Sequence, residues 1–163
     1  PPRSTLFPYT TLFRSMMVKS GEMHLTKNFS YAEAIRSEAA RKAGISNEPH
    51  GDDVPAILNT AYNMERVRRL LGDSPIIINS WYRNERVNRL VGGVANSAHR
   101  LGHAVDFTCP AVGSVTDACR AIADSGIEFD QLIWEYGRWV HISFAPAMRG
   151  QVLHINGGTV VNG

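Results

Sequence analysis

Two apolar segments of the chain are each interrupted by a polar side chain, and this pattern restricts what the chain can fold into. Asp106 interrupts the apolar run at residues 104–107, and His141 interrupts the run at residues 139–144. Both runs have the length and composition of β-strands. Because an isolated charge is very costly to bury, Asp106 requires a partner in the folded protein. His141 taken alone is typical of a hydrogen-bonded core residue.

A second histidine completes a possible set of metal ligands. His99 lies seven residues before Asp106, between the loop-like segment 96–98 and Gly102. Two imidazoles and one carboxylate suit Zn²⁺, and three protein ligands leave a fourth position open for water. A zinc ion in such a site lowers the pKa of its bound water and polarises a carbonyl group. The joint occurrence of His99, Asp106 and His141 therefore predicts zinc-dependent hydrolysis of an amide bond, although an arginine is an alternative partner for Asp106.

His103 is a competing nitrogen ligand, because it lies four residues after His99, the spacing of two histidines on one helix face. Gly102 and the apolar run that follows it favour an extended chain instead. In a strand, residues 104 and 106 share one face and residues 103 and 105 share the other. We therefore expect His103 to point away from Asp106 and to lie outside the ligand set.

Chain length and composition predict the domain organisation and argue against two kinds of partner. A chain of 163 residues is long enough for one domain with a sizeable core. The formal net charge of +2 gives no electrostatic basis for nucleic-acid binding, and no apolar stretch is long enough to span a membrane. We expect a monomer in which Cys109 and Cys119 are free thiols. Residues 1–22, in which Thr-Leu-Phe is repeated, are predicted to be a non-native or disordered leader, and residues 23–163 the domain.

Hydrophobic periodicity and capping residues predict an α+β fold. Helices early in the chain and mostly antiparallel strands later indicate one small, mainly antiparallel sheet flanked by helices. Ser30 and Glu33 form a capping-box pattern at the start of the first helix, which is expected to end at Gly44. The other predicted elements are a helix from Pro55 to Gly72, a strand at 76–78, a helix at 84–91, a strand at 104–108, a helix from Ser114 to Gly126, a hairpin with strands at 132–135 and 139–144, and an edge strand at 151–155.

Several motifs resemble those of one enzyme family. The pattern Ser97-x-His99-x-x-Gly102-x-Ala104-x-Asp106, followed by Trp139-Val140-His141, resembles the zinc D-Ala-D-Ala carboxypeptidase family. That family includes phage endolysins that cut the peptide stems of peptidoglycan. Residues 23–30, the segment 80–83 with Asn88, and residues 129–133 also resemble segments of the family. The resemblance covers about residues 23–150.

The resemblance implies a cofactor, a substrate and a set of site residues. It implies Zn²⁺ held by His99, Asp106 and His141, with peptidoglycan stem peptides as the substrate. It also implies that Arg83 polarises the scissile carbonyl or binds a peptide carboxylate, whereas a structural ion pair is the alternative for this residue. Tyr82, Trp134 and Trp139 are predicted to form walls of the cleft, and Ser97 to orient His99 or Asp106 by a hydrogen bond. Trp81 replaces a glycine of the family motif and is predicted to narrow the cleft or to stack on the substrate.

The general base is the point at which the chain departs from the family pattern. Many members have a glutamate three residues before the last histidine ligand, and here that position is Arg138, which cannot act as a base. Glu135 and Asp130 remain. A two-residue hairpin turn would put Asp130 on the face of His141, whereas a three-residue loop at 136–138 would put Glu135 there. We favour Glu135, with a cross-turn ion pair to Arg138 as its structural alternative.

The expected activity is hydrolysis of peptide bonds in peptidoglycan stem peptides, either as a D,D-carboxypeptidase or as an endopeptidase of the endolysin kind. The alternative is a catalytically inactive cell-wall-binding or phage structural module that keeps the zinc fold. Because no secretory signal is recognised, we expect synthesis in the cytoplasm of a bacterial or phage-infected cell and action on the cell wall after release.

Overall fold

One six-stranded sheet forms the framework of the protein, whose computed structural model describes residues 18–19, 22–156 and 159–162. Earlier in the chain, β1 (Val18–Lys19) and β2 (Glu22–Met23) form a separate antiparallel pair. The strands of the six-stranded sheet are β3 (Ile77–Ser80), β4 (Ala104–Thr108), β5 (Gln131–Glu135), β6 (Trp139–Ser143), β7 (Gln151–Asn156) and β8 (Thr159–Asn162). Their spatial order is β3-β4-β6-β5-β7-β8. All neighbours are antiparallel except β5 and β7, which run parallel.

Helices pack against this sheet, so the predicted α+β class with a mainly antiparallel sheet is confirmed. The α-helices of the described residues are α1 (Tyr31–Ile35), α2 (Glu38–Ala43), α3 (Val54–Leu70), α4 (Glu85–Leu90) and α5 (Val115–Ala123), with 3₁₀ turns at Gly51–Asp53, Ala98–Leu101 and Pro110–Val112. None of the helices that the structure describes is both long and apolar enough to cross a membrane.

Two predicted elements differ in the structure. The helix expected from Ser30 to Gly44 is two helices, because Ser37 has an extended backbone and its side chain caps α2 by accepting a hydrogen bond from the Ala40 amide at 3.2 Å. The predicted capping box at Ser30 and Glu33 is present. The strand expected at the sheet edge, β7, is an interior strand, since β8 pairs with it. Most of the predicted leader, residues 1–22, lies outside the described residues.

The two faces of the sheet differ in character. Side chains alternate between faces along a strand. On one face lie the fully buried side chains of Val105, Phe107, Leu132, Val140 and Ile142. They pack in a single hydrophobic cluster with Ile57, Ala61, Met64 and Val67 of α3 and with Ala118 and Ile122 of α5. The opposite face of β4 and β6 presents the polar side chains that interrupt the two apolar runs.

Candidate metal centre and active site

The structure brings His99, Asp106 and His141 together on the polar face of the sheet. Strand register pairs Asp106 of β4 directly with His141 of β6. Asp106 Oδ1 lies 2.7 Å from His141 Nδ1 and 3.2 Å from His99 Nε2, and the two ring nitrogens are 3.3 Å apart. All three residues are buried. The group could hold a metal ion.

His99 reaches this group from the 3₁₀ turn Ala98–Leu101 rather than from a strand. Its Nδ1 lies 2.6 Å from the backbone carbonyl oxygen of Trp81. A carbonyl can only accept, so Nδ1 carries the proton and the Nε2 lone pair points towards Asp106. The Arg83 amide donates to the His99 carbonyl at 3.0 Å and fixes the other side of the turn. The chain after β3 therefore sets both the position and the tautomer of His99.

Gly102 ends the turn in a conformation that only glycine adopts without strain. Its φ is +79°, and a Cβ at this position would lie 2.4 Å from Ile57 Cγ1 of α3. The Gly102 carbonyl accepts hydrogen bonds from the Thr60 hydroxyl at 2.9 Å and from the Trp81 indole at 3.4 Å. Helix α3 thus holds the turn that carries His99 against the sheet.

Burial and mutual interaction set the protonation states of the group. Burial lowers the pKa of His99 and outweighs the opposing effect of the Asp106 charge, so the imidazole is kept neutral. Burial raises the pKa of Asp106, but its interaction with His99 and the hydrogen bond from His141 outweigh that effect and hold the pKa below its usual value. A neutral imidazole and an ionised carboxylate are the forms that bind a metal.

The donor set fits a tetrahedral metal ion. Bonds of about 2.0–2.1 Å in a tetrahedron separate ligand atoms by about 3.3 Å. The distances from His99 Nε2 to Asp106 Oδ1 and to His141 Nδ1 agree with this value, at 3.2 and 3.3 Å. The third distance, from Asp106 Oδ1 to His141 Nδ1, is shorter at 2.7 Å, which is the length of a hydrogen bond. With the His99 proton on Nδ1, its Nε2 lone pair faces a carboxylate oxygen, which is repulsive unless a cation or a proton lies between them. Two nitrogens and one oxygen are a donor set typical of zinc.

Arg83 lies beside the group and interacts with two carboxylates. Its guanidinium is 3.8 Å from Asp106 Oδ2, too long for a hydrogen bond, and its Nε is buried without a hydrogen-bond partner among the described residues. Burial lowers the pKa of Arg83, while the charges of Asp106 and Glu135 oppose that change. The side chain remains cationic, because an arginine is protonated throughout the physiological range.

The β5–β6 hairpin places Glu135, rather than Asp130, on the face of His141. The hairpin has a three-residue loop, so Glu135 pairs with Trp139 and Ile133 pairs with His141. Asp130 precedes β5 and is engaged by Arg149, whose Nε and terminal nitrogen donate to its two oxygens at 2.7 and 2.6 Å. Arg138 forms no ion pair with Glu135, whose carboxylate instead accepts a hydrogen bond from the Trp139 indole.

Comparison with known protein families agrees with this arrangement. A sequence profile described as peptidase M15 matches residues 27–143, which is most of the chain. The chain belongs to the peptidase M15 family. This family consists of metallopeptidases similar to zinc D-Ala-D-Ala carboxypeptidases, so the resemblance found in the motifs is confirmed. No curated protein matches the chain. This M15 chain is therefore a member of a family of metal-dependent hydrolases, and its buried His-Asp-His group could bind the metal.

Three aromatic side chains of this M15 peptidase lie elsewhere than predicted. Tyr82 does not line a cleft, because its side chain is 1% exposed and its hydroxyl donates to Asp53 at 2.9 Å. Trp134 faces the opposite side of the sheet from His141, where it stacks on His154 with ring centroids 3.9 Å apart. Trp81 is fully buried and so neither narrows a cleft nor stacks on a substrate. Of the predicted aromatic walls, only Trp139 shares the face of His141.

The groups that orient His99 were missed by the sequence argument. The Ser97 hydroxyl makes no hydrogen bond to His99 or Asp106 within the described residues, and the Trp81 carbonyl orients His99 instead. A backbone carbonyl leaves no signature in a sequence. Thr60 and Gly102 also position the turn, and the only available signal was a glycine between a histidine and a strand. His103 is not part of the group, in agreement with its exclusion.

Proposed function

We propose that this M15 peptidase is a zinc-dependent hydrolase of peptide bonds in peptidoglycan stem peptides. The observation that carries the proposal is the convergence of His99, Asp106 and His141 beside two further charged groups, Arg83 and Glu135, on one face of the sheet. Family membership supports the hydrolytic reaction. The motif resemblance supports the choice of stem peptides, and with it action at the bacterial cell wall.

The metal centre would be formed by His99 Nε2, Asp106 Oδ1 and His141 Nδ1, which leaves a fourth position for water. When bound, a zinc ion would lower the pKa of that water and polarise the scissile carbonyl group. The Trp81 carbonyl keeps the proton of His99 on Nδ1, and Asp106 is held ionised by its two histidines. These two contacts maintain the donor set that the cation requires.

Glu135 is proposed as the general base. It lies on the face of His141, and its carboxylate is close enough to Arg83 for their charges to interact. It accepts a proton from the attacking water and then gives that proton to the leaving amine. Asp130 is a poorer choice, because its two oxygens accept hydrogen bonds from Arg149.

Arg83 is proposed to stabilise the negative charge that develops on the scissile carbonyl oxygen. Its cation is beside the ligand Asp106, and its Nε has no hydrogen-bond partner in the described residues. A donor that is buried and unpaired before substrate binds can bind the oxyanion without first breaking another contact.

The proposal is tested by mass spectrometry of purified muropeptides incubated with the protein, with and without a chelator. We expect peptide-bond cleavage that chelation abolishes and Zn²⁺ restores, and we expect the products to distinguish a D,D-carboxypeptidase from an endopeptidase. Glu135→Gln should lower the rate by about 10²–10⁴-fold with metal content unchanged. Cleavage that persists in metal-free protein contradicts a metal-dependent mechanism. Absence of cleavage of any stem peptide by the zinc-loaded protein supports the alternative, an inactive wall-binding module.

A further inference from the structure

The loop of the β5–β6 hairpin fixes Glu135 directly opposite Trp139. Tyr136 and Gly137 both have left-handed backbone angles, with φ of 53° and 64°. The Arg138 amide donates to the Glu135 carbonyl at 3.0 Å and closes the turn, and the Tyr136 amide donates to the Ile155 carbonyl of β7 at 2.8 Å. The turn is therefore held to a third strand. As a result the side chains of Glu135 and Trp139 project from the same face as His141.

On this face the indole of Trp139 contacts the carboxylate of Glu135. Trp139 Nε1 donates a hydrogen bond to Glu135 Oε2 at 3.1 Å. The ring of Tyr136 packs against the Trp139 ring at a centroid distance of 6.2 Å and an interplanar angle of 61°, an edge-to-face geometry. The indole is thus restrained on one side by an aromatic ring and on the other by the carboxylate.

An indole N–H is well suited to hold a carboxylate that must exchange protons. It can only donate, and it does not titrate in the accessible pH range, so it orients the carboxylate without competing for the transferred proton. It also engages one of the two oxygens, which leaves Oε1 for water. The Arg83 cation attracts the same carboxylate from the side of Asp106.

We propose that Trp139 is a positioning residue that fixes Glu135 for proton transfer, rather than a wall that contacts the substrate. The inference rests on the proposed function, because it requires Glu135 to act as the base. It predicts that loss of the indole N–H lowers kcat and leaves KM and the metal content unchanged.

The test is a steady-state comparison of Trp139→Phe with the matched control Trp134→Phe, using a stem peptide that the parent protein cleaves. Trp134 lies one strand away on the opposite face, and its indole nitrogen is buried without an acceptor among the described residues. We expect Trp139→Phe to lower kcat about tenfold, the effect of losing one hydrogen bond to a charged group, with KM within about twofold of the parent. Trp134→Phe should leave both constants unchanged.

A double variant separates positioning from other roles. In a Glu135→Gln background, Trp139→Phe should have no further effect on kcat, because the group that it positions is already inactive. A kcat for Trp139→Phe equal to that of the parent overturns the inference. A raised KM with unchanged kcat also overturns it and identifies Trp139 as a substrate contact. A parent protein that cleaves no stem peptide refutes the proposed function itself, which is a different result.

A spectroscopic measurement covers the case in which Trp139→Phe does not fold. The chain has three tryptophans, so an ¹H–¹⁵N spectrum of the parent should show three indole N–H signals. In Glu135→Ala, which removes the acceptor, only one of them should shift strongly and exchange faster with solvent, and it should be the signal assigned to Trp139. If the Trp139 signal is unchanged, the indole does not hold the carboxylate in solution and the inference is wrong.

Discussion

Two buried aspartates, Asp106 and Asp130, lie near the same strand β6 but have different partners. Asp106 pairs with His141 in the middle of the sheet, and its nearest neighbours are two imidazole nitrogens. Asp130 lies just before β5, and its oxygens accept hydrogen bonds from the side chain and the backbone amide of Arg149. Both have a pKa below the usual value. Burial and a low pKa therefore do not separate a functional carboxylate from a structural one.

The chemistry of the partners does separate them. An arginine is a permanent cation that only donates, so the Asp130 pair is complete without any ligand. The Asp106 group instead combines a carboxylate with histidine lone pairs, which leaves room for a cation among them. Asp130 also closes a segment of chain, since its carbonyl accepts from the Gln151 amide at the start of β7. The first aspartate is suited to bind a metal and the second to hold the fold.

The largest expected difference between the two aspartates is in metal content and activity. Asp106→Asn removes a charged ligand, so we expect the bound metal to fall close to zero and the peptidase rate to fall by more than about 100-fold. Asp130→Asn should retain the metal and most of the activity. Elemental analysis of the purified variants and muropeptide cleavage measure both quantities. Loss of metal in Asp130→Asn with the fold intact would break the distinction.

The loss of unfolding free energy relative to the parent should depend on metal for the Asp106 variant and not for the Asp130 variant. Asp130→Asn weakens charge-assisted hydrogen bonds to Arg149, and we expect a loss of about 1–3 kcal/mol in the free energy of unfolding. This loss should be the same with and without a chelator. Asp106→Asn should be more destabilising relative to the parent when metal is present than when it is absent, because the parent then gains binding free energy as well. Urea unfolding of the three proteins in both conditions provides the measurement, and equal chelator sensitivity of all three would contradict the comparison.

In the metal-free protein, the dependence of the unfolding free energy on pH also distinguishes Asp130 from the histidines. The pKa of Asp130 is lowered by the hydrogen bond from Arg149, so its contribution is fully present above the unfolded value of about 3.9 and is lost as the pH falls. The pKa values of His99 and His103 are lowered by burial. The unfolded chain therefore binds protons at these histidines before the folded protein does, and stability begins to fall at a higher pH, once the pH is below about 6.5.

Stability of the parent should therefore decline in two stages as the pH falls. Each stage has a slope of at most about 1.4 kcal/mol per pH unit for each extra proton bound by the unfolded chain. Asp130→Asn should reduce the slope of the stage below about pH 4, to which Asp106 also contributes, and leave the earlier stage unchanged. Urea midpoints measured from pH 3 to pH 8 test this. A change in the earlier stage alone would show that Asp130 is coupled to the histidines instead of to Arg149.

Those parts of the site that depend on side-chain chemistry and strand periodicity could be predicted from the sequence. Asp106 and His141 each interrupt an apolar strand, so one face of each strand had to carry a polar group, and register then set them opposite each other. The face of Glu135 depended on the length of the hairpin loop, because a change of one residue moves a side chain to the other face. Gly137 is compatible with either length, so the sequence left both alternatives open.

The aromatic side chains were harder to place. Tyr82 and Trp81 lie in a motif that suggested a substrate cleft, yet both are buried, because they anchor the chain that orients His99. Their role depends on backbone groups: the Trp81 carbonyl binds His99 and the Tyr82 carbonyl accepts from Asn47 at 2.8 Å. Such contacts do not depend on the identity of the side chain and leave no pattern in the sequence. For the same reason Ser97 was a plausible but mistaken choice for the group that orients His99.

The smallest expected effect concerns the geometry of the Asp130 pair. Arg149→Lys keeps the positive charge but replaces a planar guanidinium, which donates to both carboxylate oxygens of Asp130, with a single ammonium group. Since the Arg149 side chain is half exposed, water can compensate for the lost donor, and we expect a loss in the free energy of unfolding that is clearly smaller than that of Asp130→Asn. Metal content and cleavage rate should equal those of the parent. A loss as large as that of Asp130→Asn would show that the two-pronged contact, rather than the charge, holds the segment between β6 and β7 in place.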